Sequence, residues 1–528
     1  MILLKNGIIY DGSTNPPYKA DLLIDNDEII DVSKVGIEKK DAEVYDCSNL
    51  CISPGFIDAH SHNDFFTIKE NNLKYFKDFI RQGVTTMVTG NCGFSIAGYK
   101  EGTPYLNEIG GGLFEGSPKD FGSFKKWGET IDGKCPVNIL SLVGHGTIRI
   151  SLNSKNSNKL NERQMEDLEY IVDKSLSEGA AGVSFGLMYE PGRFAPSDEI
   201  IKIAKVVKRH NKIVSFHARA YSRVSTSYAP PIGGRAHGLR AIDEVLCIAR
   251  QTGVKTQLSH LIFVGKNSWN YVDEALSLME NAVKDGIDIM FDTYSTDFGA
   301  SIISVVLPPW YLALSKNNKQ KPLVKFRLFL EIMMAKKFLG FDFNDILISN
   351  TAGKCKEIEG KTISELAKLW KINEFSAYMK ANEKTDSKAE VLMFKYSNEK
   401  ILEKLRNHPL ALYMSDAWVN DYGIQNYAIY YNFPKFILLA KNCSTPIEQA
   451  INKMAYLTAS RYNIKSRGLI KKGFKADLVV FNFDKLSYKE KSAESPKGFV
   501  HVFINGKHVL KDGVLNEEIA AKSGRFIQ

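Results

Sequence analysis

A chain of 528 residues that is 44% apolar exceeds the size at which a single hydrophobic core stops growing, so a large catalytic domain with a smaller appendage is expected. There is no apolar run of about 18 residues and no Gly/Ser-rich or Pro-rich linker, which argues against a membrane-spanning chain or a string of tethered modules. The formal charge of +9 is spread along the chain without a nucleic-acid-reading motif, and seven scattered cysteines make no disulfide framework. The expectation is a soluble cytoplasmic protein acting on a small molecule, with no nucleic-acid or membrane partner.

In chain order, the opening apolar run stops at Lys5 with neither a basic leader nor a cleavage site, and so reads as a strand rather than a signal peptide. Eight short, β-branched runs come next, at 55–60, 84–90, 137–143, 181–185, 213–216, 255–259, 287–291 and 410–414. Stretches of helical period separate them. Within 161–178, Met165, Leu168, Ile171, Val172 and Leu176 share one stripe and Gly179 ends it, and 238–253 and 271–286 repeat the design. Eight strands alternating with helices predict an α/β fold of the TIM (β/α)8-barrel kind. The stretch from about 302 to 408 between strands seven and eight is too long for a connection and reads as an insertion over the active site.

The residues just past the strand ends carry the chemistry. His60 and His62 come after the first strand, Cys92 after the second, His217 after the fifth, His260 after the sixth and Asp416 after the eighth. In a barrel these carboxyl ends face one mouth, so metal-ligand residue types far apart in sequence converge there. A lone histidine at a strand end is ordinarily structural, but so many coincidences are not. Cys92 lies in Gly90-Asn-Cys-Gly93, where flanking glycines let the backbone turn sharply, and a thiolate beside zinc can serve as ligand. His210, His237, His408, His501 and His508 fall on surfaces or loops, while His145 reads equally as support for a ligand or as structure.

The run Pro54-Gly-Phe-Ile-Asp-Ala-His-Ser-His62 resembles the first-strand signature of the amidohydrolase superfamily. Gly90-Asn-Cys-Gly93 narrows the resemblance to the D-aminoacylase, or N-acyl-D-amino-acid deacylase, branch, in which a cysteine stands where most binuclear relatives place a carboxylated lysine. Gly144-His-Gly-Thr147, Gly186-Leu-Met-Tyr189, His217-Ala-Arg219, Ser259-His260 and Ser415-Asp416 occur in the order of that branch. The segments 20–25 with 29–32, and 468–473 with 476–481, resemble the two halves of its small β-sandwich. The resemblance implies a sandwich built from residues 1–51 and 461–528 around a barrel over 52–460. It further implies that Cys92, His217 and His260 hold a tightly bound zinc, with His60, His62 and Asp416 around the water and any weaker second ion. Asp416 would be the general base, and the reaction the hydrolysis of a linear amide, with Tyr189, Tyr294 and Ser301 at substrate-contacting positions.

The sequence also departs from the branch. Ile262 stands where a carboxylate-binding lysine is usual, Asn426-Tyr-Ala428 replaces His-Pro-Arg, and Phe433-Pro-Lys435 replaces Phe-Pro-Arg. Either the substrate lacks a free carboxylate there, or another cation compensates, with Arg193, Arg219, Arg223 and Arg235 as candidates and Arg219 the first among them. Pro230-Pro231 and Gly233-Gly234 make the loop after His217 long and kinked, as a remodelled pocket would need. The alternatives are a cyclic amidase of the hydantoinase or dihydroorotase type, against which Cys92 speaks, and a non-catalytic scaffold, against which the survival of all six donors speaks.

Overall fold

The computed structural model describes residues 1–228, 234–442 and 445–528. Five strands come first: β1 (Ile2–Ile9), β2 (Tyr18–Asp25), β3 (Glu28–Ser33), β4 (Glu43–Asp46) and β5 (Cys51–Pro54). The chain then enters a parallel ladder of β6 (Phe56–Asp58), β7 (Val84–Thr89) and β8 (Asn138–Ser141). A second parallel ladder takes β9 (Val143–Gly144), β10 (Gly182–Gly186), β11 (Ile213–His217), β12 (Lys255–Leu258) and β13 (Ile289–Thr293). Three strands of another sheet, β14 (Gly299–Ile302), β15 (Ile346–Asn350) and β16 (Glu390–Met393), precede its last member, β17 (Ala411–Tyr413).

All eight predicted runs thus become parallel strands whose neighbours follow sequence order. β8 and β9 are one run broken only at Leu142, and backbone hydrogen bonds from Ala59 to Tyr413 and from Asp416 to His60 tie the last strand to the first. The strands are buried almost throughout, as expected where helices cover the outer face. The helix Glu162–Ser177 opens on a capping box between Asn161 and Gln164, and His237–Thr252 ends on a left-handed Gly253, both where the sequence places them.

The insertion is an antiparallel sheet of order β14-β16-β15 with helices Pro322–Leu339, Ile363–Trp370 and Glu374–Lys384. It begins at Gly299 rather than 302 and ends before 408. Helix Glu399–Asn407 packs on β13 and β17 and is the outer helix of that βα unit, although the length of the stretch had placed it within the insertion.

The C-terminal strands β18 (Leu478–Phe481), β19 (Phe499–Ile504), β20 (Lys507–Lys511) and β21 (Val514–Leu515) join the N-terminal ones. The order is β21-β20-β19-β18-β5-β1-β2-β3, with β4 beside β1. The termini thus jointly build one nine-stranded sheet. Irregular registers in β1, β2 and the β18–β19 pair bend it, and Ile29 and Ala476 exchange backbone bonds with Phe474 and Asp27 where it meets itself. Leu4, Leu22, Ile24, Leu478, Val480 and Phe503 fill the curl.

A buried polar network fastens this sheet to the strands of the site. Asp477 accepts hydrogen bonds from Asn138 Nδ2 at 3.1 Å and from Asn505 N at 2.7 Å, and pairs with Arg467. Asn505 Nδ2 in turn donates to Asn138 Oδ1 and to the Ser523 carbonyl. Removing one partner of a buried ion pair leaves the other desolvated and uncompensated, at a cost of about 3–5 kcal/mol. Asp477→Ala is therefore expected to lower the urea midpoint by an amount equivalent to that loss at an unchanged m-value; a wild-type midpoint would show the network to be idle.

Candidate metal centre

Six ligand-type side chains meet at the carboxyl ends of the parallel strands. His60, Cys92 and His260 present donor atoms within 4.8 Å of one another, and so do His60, His62 and Asp416, so His60 belongs to both groups. Cys92 Sγ lies 3.4 Å from His60 Nε2, from His260 Nε2 and from His217 Nδ1. Asp416 Oδ1 lies 3.5 Å from His60 Nε2 and 3.4 Å from His62 Nε2. His217 thus reaches the thiol, while the mutually closest trio around it contains His60 instead.

The backbone is bent sharply to achieve this. Cys92, His260 and Asp416 have φ of +52°, +29° and +48°, a region that L-residues seldom occupy and that clusters at functional sites. Gly186 is needed because a Cβ there would strike the Cys92 carbonyl. Asp64, next to the first-strand pair, accepts the N–H groups of Gly90 and Ile96 and so grips the Cys92 loop on both sides.

Three buried carboxylates act on the donors from behind, and sequence reasoning passed over all of them. Asp58 accepts from Ser415 N at 2.9 Å, from Ser415 Oγ at 2.5 Å and from His60 N at 3.3 Å, fixing the turn that carries Asp416. Asp292, at the end of β13, accepts from His260 N at 2.6 Å and Gln257 Nε2 at 2.9 Å and faces His60 Nδ1 at 3.4 Å. Asp64 is the third. Their signal was available: each acid lies at or near the carboxyl end of a predicted strand.

Burial dominates the electrostatics. It pushes the Cys92 thiol up to about 11, against the pull of His60, and it pushes His260 down to about 4. His217 is driven well below the usual imidazole range, by burial and by the neighbouring His260. Burial also raises Asp416, but His60, His62 and His260 outweigh it and hold the carboxyl well below its ordinary range. Asp416 has the most exposed side chain of the ion-paired trio, at 15% against 0% for His60 and 5% for His62.

The expected substrate residues divide. Tyr189 packs at a tilt against His217 with ring centroids 4.5 Å apart, and Tyr294 is buried where its hydroxyl feels the Asp416 charge. Ser301 lies beside Tyr396, both on the insertion. Tyr221, which the sequence reading missed, packs its ring on both His217 and His260. Arg219 does not offer a free charge: its guanidinium pairs with Glu244 at 2.9 Å and donates to the carbonyls of Arg193 and Ala195. Arg235 is likewise held by Asp243 and Glu274, and Lys435 by Glu490. Arg193 is different, since burial lowers its pKa and it forms no ion pair among the described residues. Arg223 forms none either but is exposed, and Ile262 is buried in the apolar core.

His145 pairs with Glu199 at 2.8 Å, which also binds Arg149, and takes no part in the donor cluster. His237, His408 and His501, expected on surfaces or loops, are buried, each with a polar partner. Pro230, Pro231 and Gly233 of the kinked loop lie outside the described residues.

Residues 51–333 match the amidohydrolase family. The chain is 24% identical to the D-aminoacylase of Alcaligenes xylosoxydans xylosoxydans over 544 residues, covering 99% of this chain and 96% of that one. It is 23% identical to the N-acyl-D-glutamate deacylase of the same organism, with 96% and 92% covered. Its structure is similar to that of the N-acyl-D-glutamate deacylase from Bordetella bronchiseptica complexed with zinc and a phosphonate inhibitor. That similarity has a TM-score of 0.78 at 22% identity and covers 100% of this chain and 99% of the other.

Groups that orient metal ligands from behind are worth about 10–100-fold in metal affinity. Asp292→Ala, which releases both the His260 backbone and the face of His60, should weaken metal binding by that factor in a competition titration with a chelating dye. Unchanged affinity would remove Asp292 from the support of the site.

Proposed function

Because the chain belongs to the amidohydrolase family and shares its TIM-barrel fold, we propose that it is a zinc-dependent hydrolase of linear amides that deacylates N-acyl-D-amino acids. The observation that carries this reading is the convergence of a thiol, four imidazoles and a carboxylate in one buried cluster, in a chain whose deacylase relatives align over nearly its whole length. We read residues 52–460 as the catalytic barrel and 1–51 with 461–528 as the sheet that braces it.

The donors fit zinc. Nitrogen and sulfur predominate, and the only partners Cys92 Sγ has among the described residues are three imidazoles, a donor set whose chemistry suits zinc. In this reading Cys92, His217 and His260 hold the tight ion, and His60, His62 and Asp416 stand beside it with capacity for a weaker second one. When bound, zinc acts as a Lewis acid that makes water nucleophilic at neutral pH and polarises the scissile carbonyl.

The protein's own contribution is proton movement and orientation. Asp416 is kept ionised by the surrounding imidazoles, so its carboxylate can accept a proton from the attacking water. It then delivers that proton to the leaving nitrogen. The hydrogen bond from its N–H to the His60 carbonyl holds it in place through both transfers. Tyr189 and Tyr294 wall the site, and Ser301 with Tyr396 closes it from the insertion. Arg193, whose N–H bonds to the Tyr189 carbonyl at 2.7 Å, supplies the positive charge for the substrate carboxylate that Arg219 cannot.

Asp416→Asn should retain zinc yet lose about 10²–10⁴-fold in kcat, because an amide neither accepts nor returns the proton. Cys92→Ala, the companion variant, should lose the tightly held zinc by elemental analysis. Near-normal kcat in the first, or full zinc in the second, would remove that residue from its role.

Arg193→Ala tests the anion site. A charge-assisted hydrogen bond contributes roughly 1.5–3 kcal/mol and each 1.4 kcal/mol is a factor of ten, so kcat/KM for a free N-acyl-D-amino acid should fall at least about tenfold. The corresponding amide should be nearly unaffected. An equal loss on both substrates would exclude Arg193 as the carboxylate anchor.

A further inference from the structure

The helix Pro322–Leu339 on the insertion is built against the usual logic of a surface helix. Leu328 and Ile332 are its only buried residues, and they pack it onto the protein. The opposite arc carries Leu323, Phe326, Leu330, Met333, Met334 and Phe338, spaced by three and four so that they form one outward stripe. Their exposure is high where it matters most: 82% for Leu323, 61% for Phe326, 47% for Met334 and 45% for Leu330. Seven of the nineteen exposed large apolar side chains among the described residues lie on this one helix, so this is a concentrated patch and not ordinary scatter. The helix is well formed despite its exposure: Pro322 opens it, left-handed Gly340 closes it, and Asn267 Nδ2 caps the carbonyls of Lys337 and Phe338.

The charge around the stripe is strongly one-sided. Residues 316–337 hold seven cations and one carboxylate, Glu331, which is already paired with Arg327. Lys316, Lys319, Lys321, Lys325 and Lys337 form no ion pair among the described residues. Long lysine stems beside an apolar stripe can lie along it and lift their ammonium groups to its edge. A symmetric contact between two copies of the chain would oppose these lysines to their own equivalents, so the charge disfavours self-association and calls for an anionic occupant.

We propose that this helix lies in the surface of an anionic lipid bilayer, with its apolar stripe among the acyl chains and its lysines at the headgroups. Flexible, exposed Leu, Met and Phe side chains along one helix face suit a fluid surface better than a shaped protein partner. No helix among the described residues is long and apolar enough to cross a membrane, so the association is of a helix lying on the bilayer. This inference is independent of the catalytic reading.

The test is sedimentation of the full chain with phosphatidylcholine vesicles, with and without phosphatidylglycerol. Binding should require phosphatidylglycerol and weaken with added salt. It should fall at least about tenfold in Phe326→Glu/Met334→Glu, which removes the apolar contact, and in Lys321→Glu/Lys325→Glu, which reverses the charge. Both substitutions are of exposed residues, so unfolding midpoints should match wild type. Absence of binding to phosphatidylglycerol vesicles would overturn the proposal, as would undiminished binding by Phe326→Glu/Met334→Glu. A concentration-dependent dimer dispersed by the same variant, without vesicle binding, would overturn it in favour of a second copy.

Discussion

Asp58 accepts the N–H and the hydroxyl of Ser415 and the N–H of His60, so one carboxylate fixes two stretches of chain 357 residues apart. Everything chemical about the site rests on this. His60 contributes to both donor groups and Asp416 is the proposed proton carrier, and both are anchored by the carboxylate between their backbones. Burial raises the pKa of Asp58 to about 7, and the Ser415 bonds work against that rise. The first and last strands therefore meet through a polar contact as well as through the backbone bonds of Ala59 and Asp416.

A second constraint is electrostatic. Six polar donors packed out of water, with few partners beyond one another, would be costly to maintain without a bound cation. The bent backbones at Cys92, His260 and Asp416 add strain that only a rigid surround sustains. The glycine at 186 and the acids at 64 and 292 supply that rigidity. The insertion adds Glu390, which accepts from Asn420 Nδ2 at 2.8 Å and so couples its sheet to the loop beyond Asp416.

The legible part of the sequence was what local periodicity controls. Strands with β-branched runs and helices with apolar stripes appeared where expected, and donors directly after strands came together because barrel topology delivers strand ends to one mouth. What failed depended on partners distant in sequence. Arg219 lies two residues past a histidine of the site, but Glu244 on the following helix claims its charge, and no spacing rule reveals a rotamer or a counter-ion. The supporting role of Asp292 was half visible, since its place at a strand end marked it as a candidate but did not show which N–H groups it would accept. The helix Glu399–Asn407 was absorbed into the insertion because length alone cannot tell where an excursion returns.

The terminal sheet has a consequence for how the protein is made. β5 lies between β1 and β18 and is paired to both, so the N-terminal strands remain an open edge until residues 478–481 have left the ribosome. At about 5–20 residues per second that interval is on the order of tens of seconds. Throughout it, an apolar sheet face is synthesised but unfinished, because the strands that complete it are made only after those of the site.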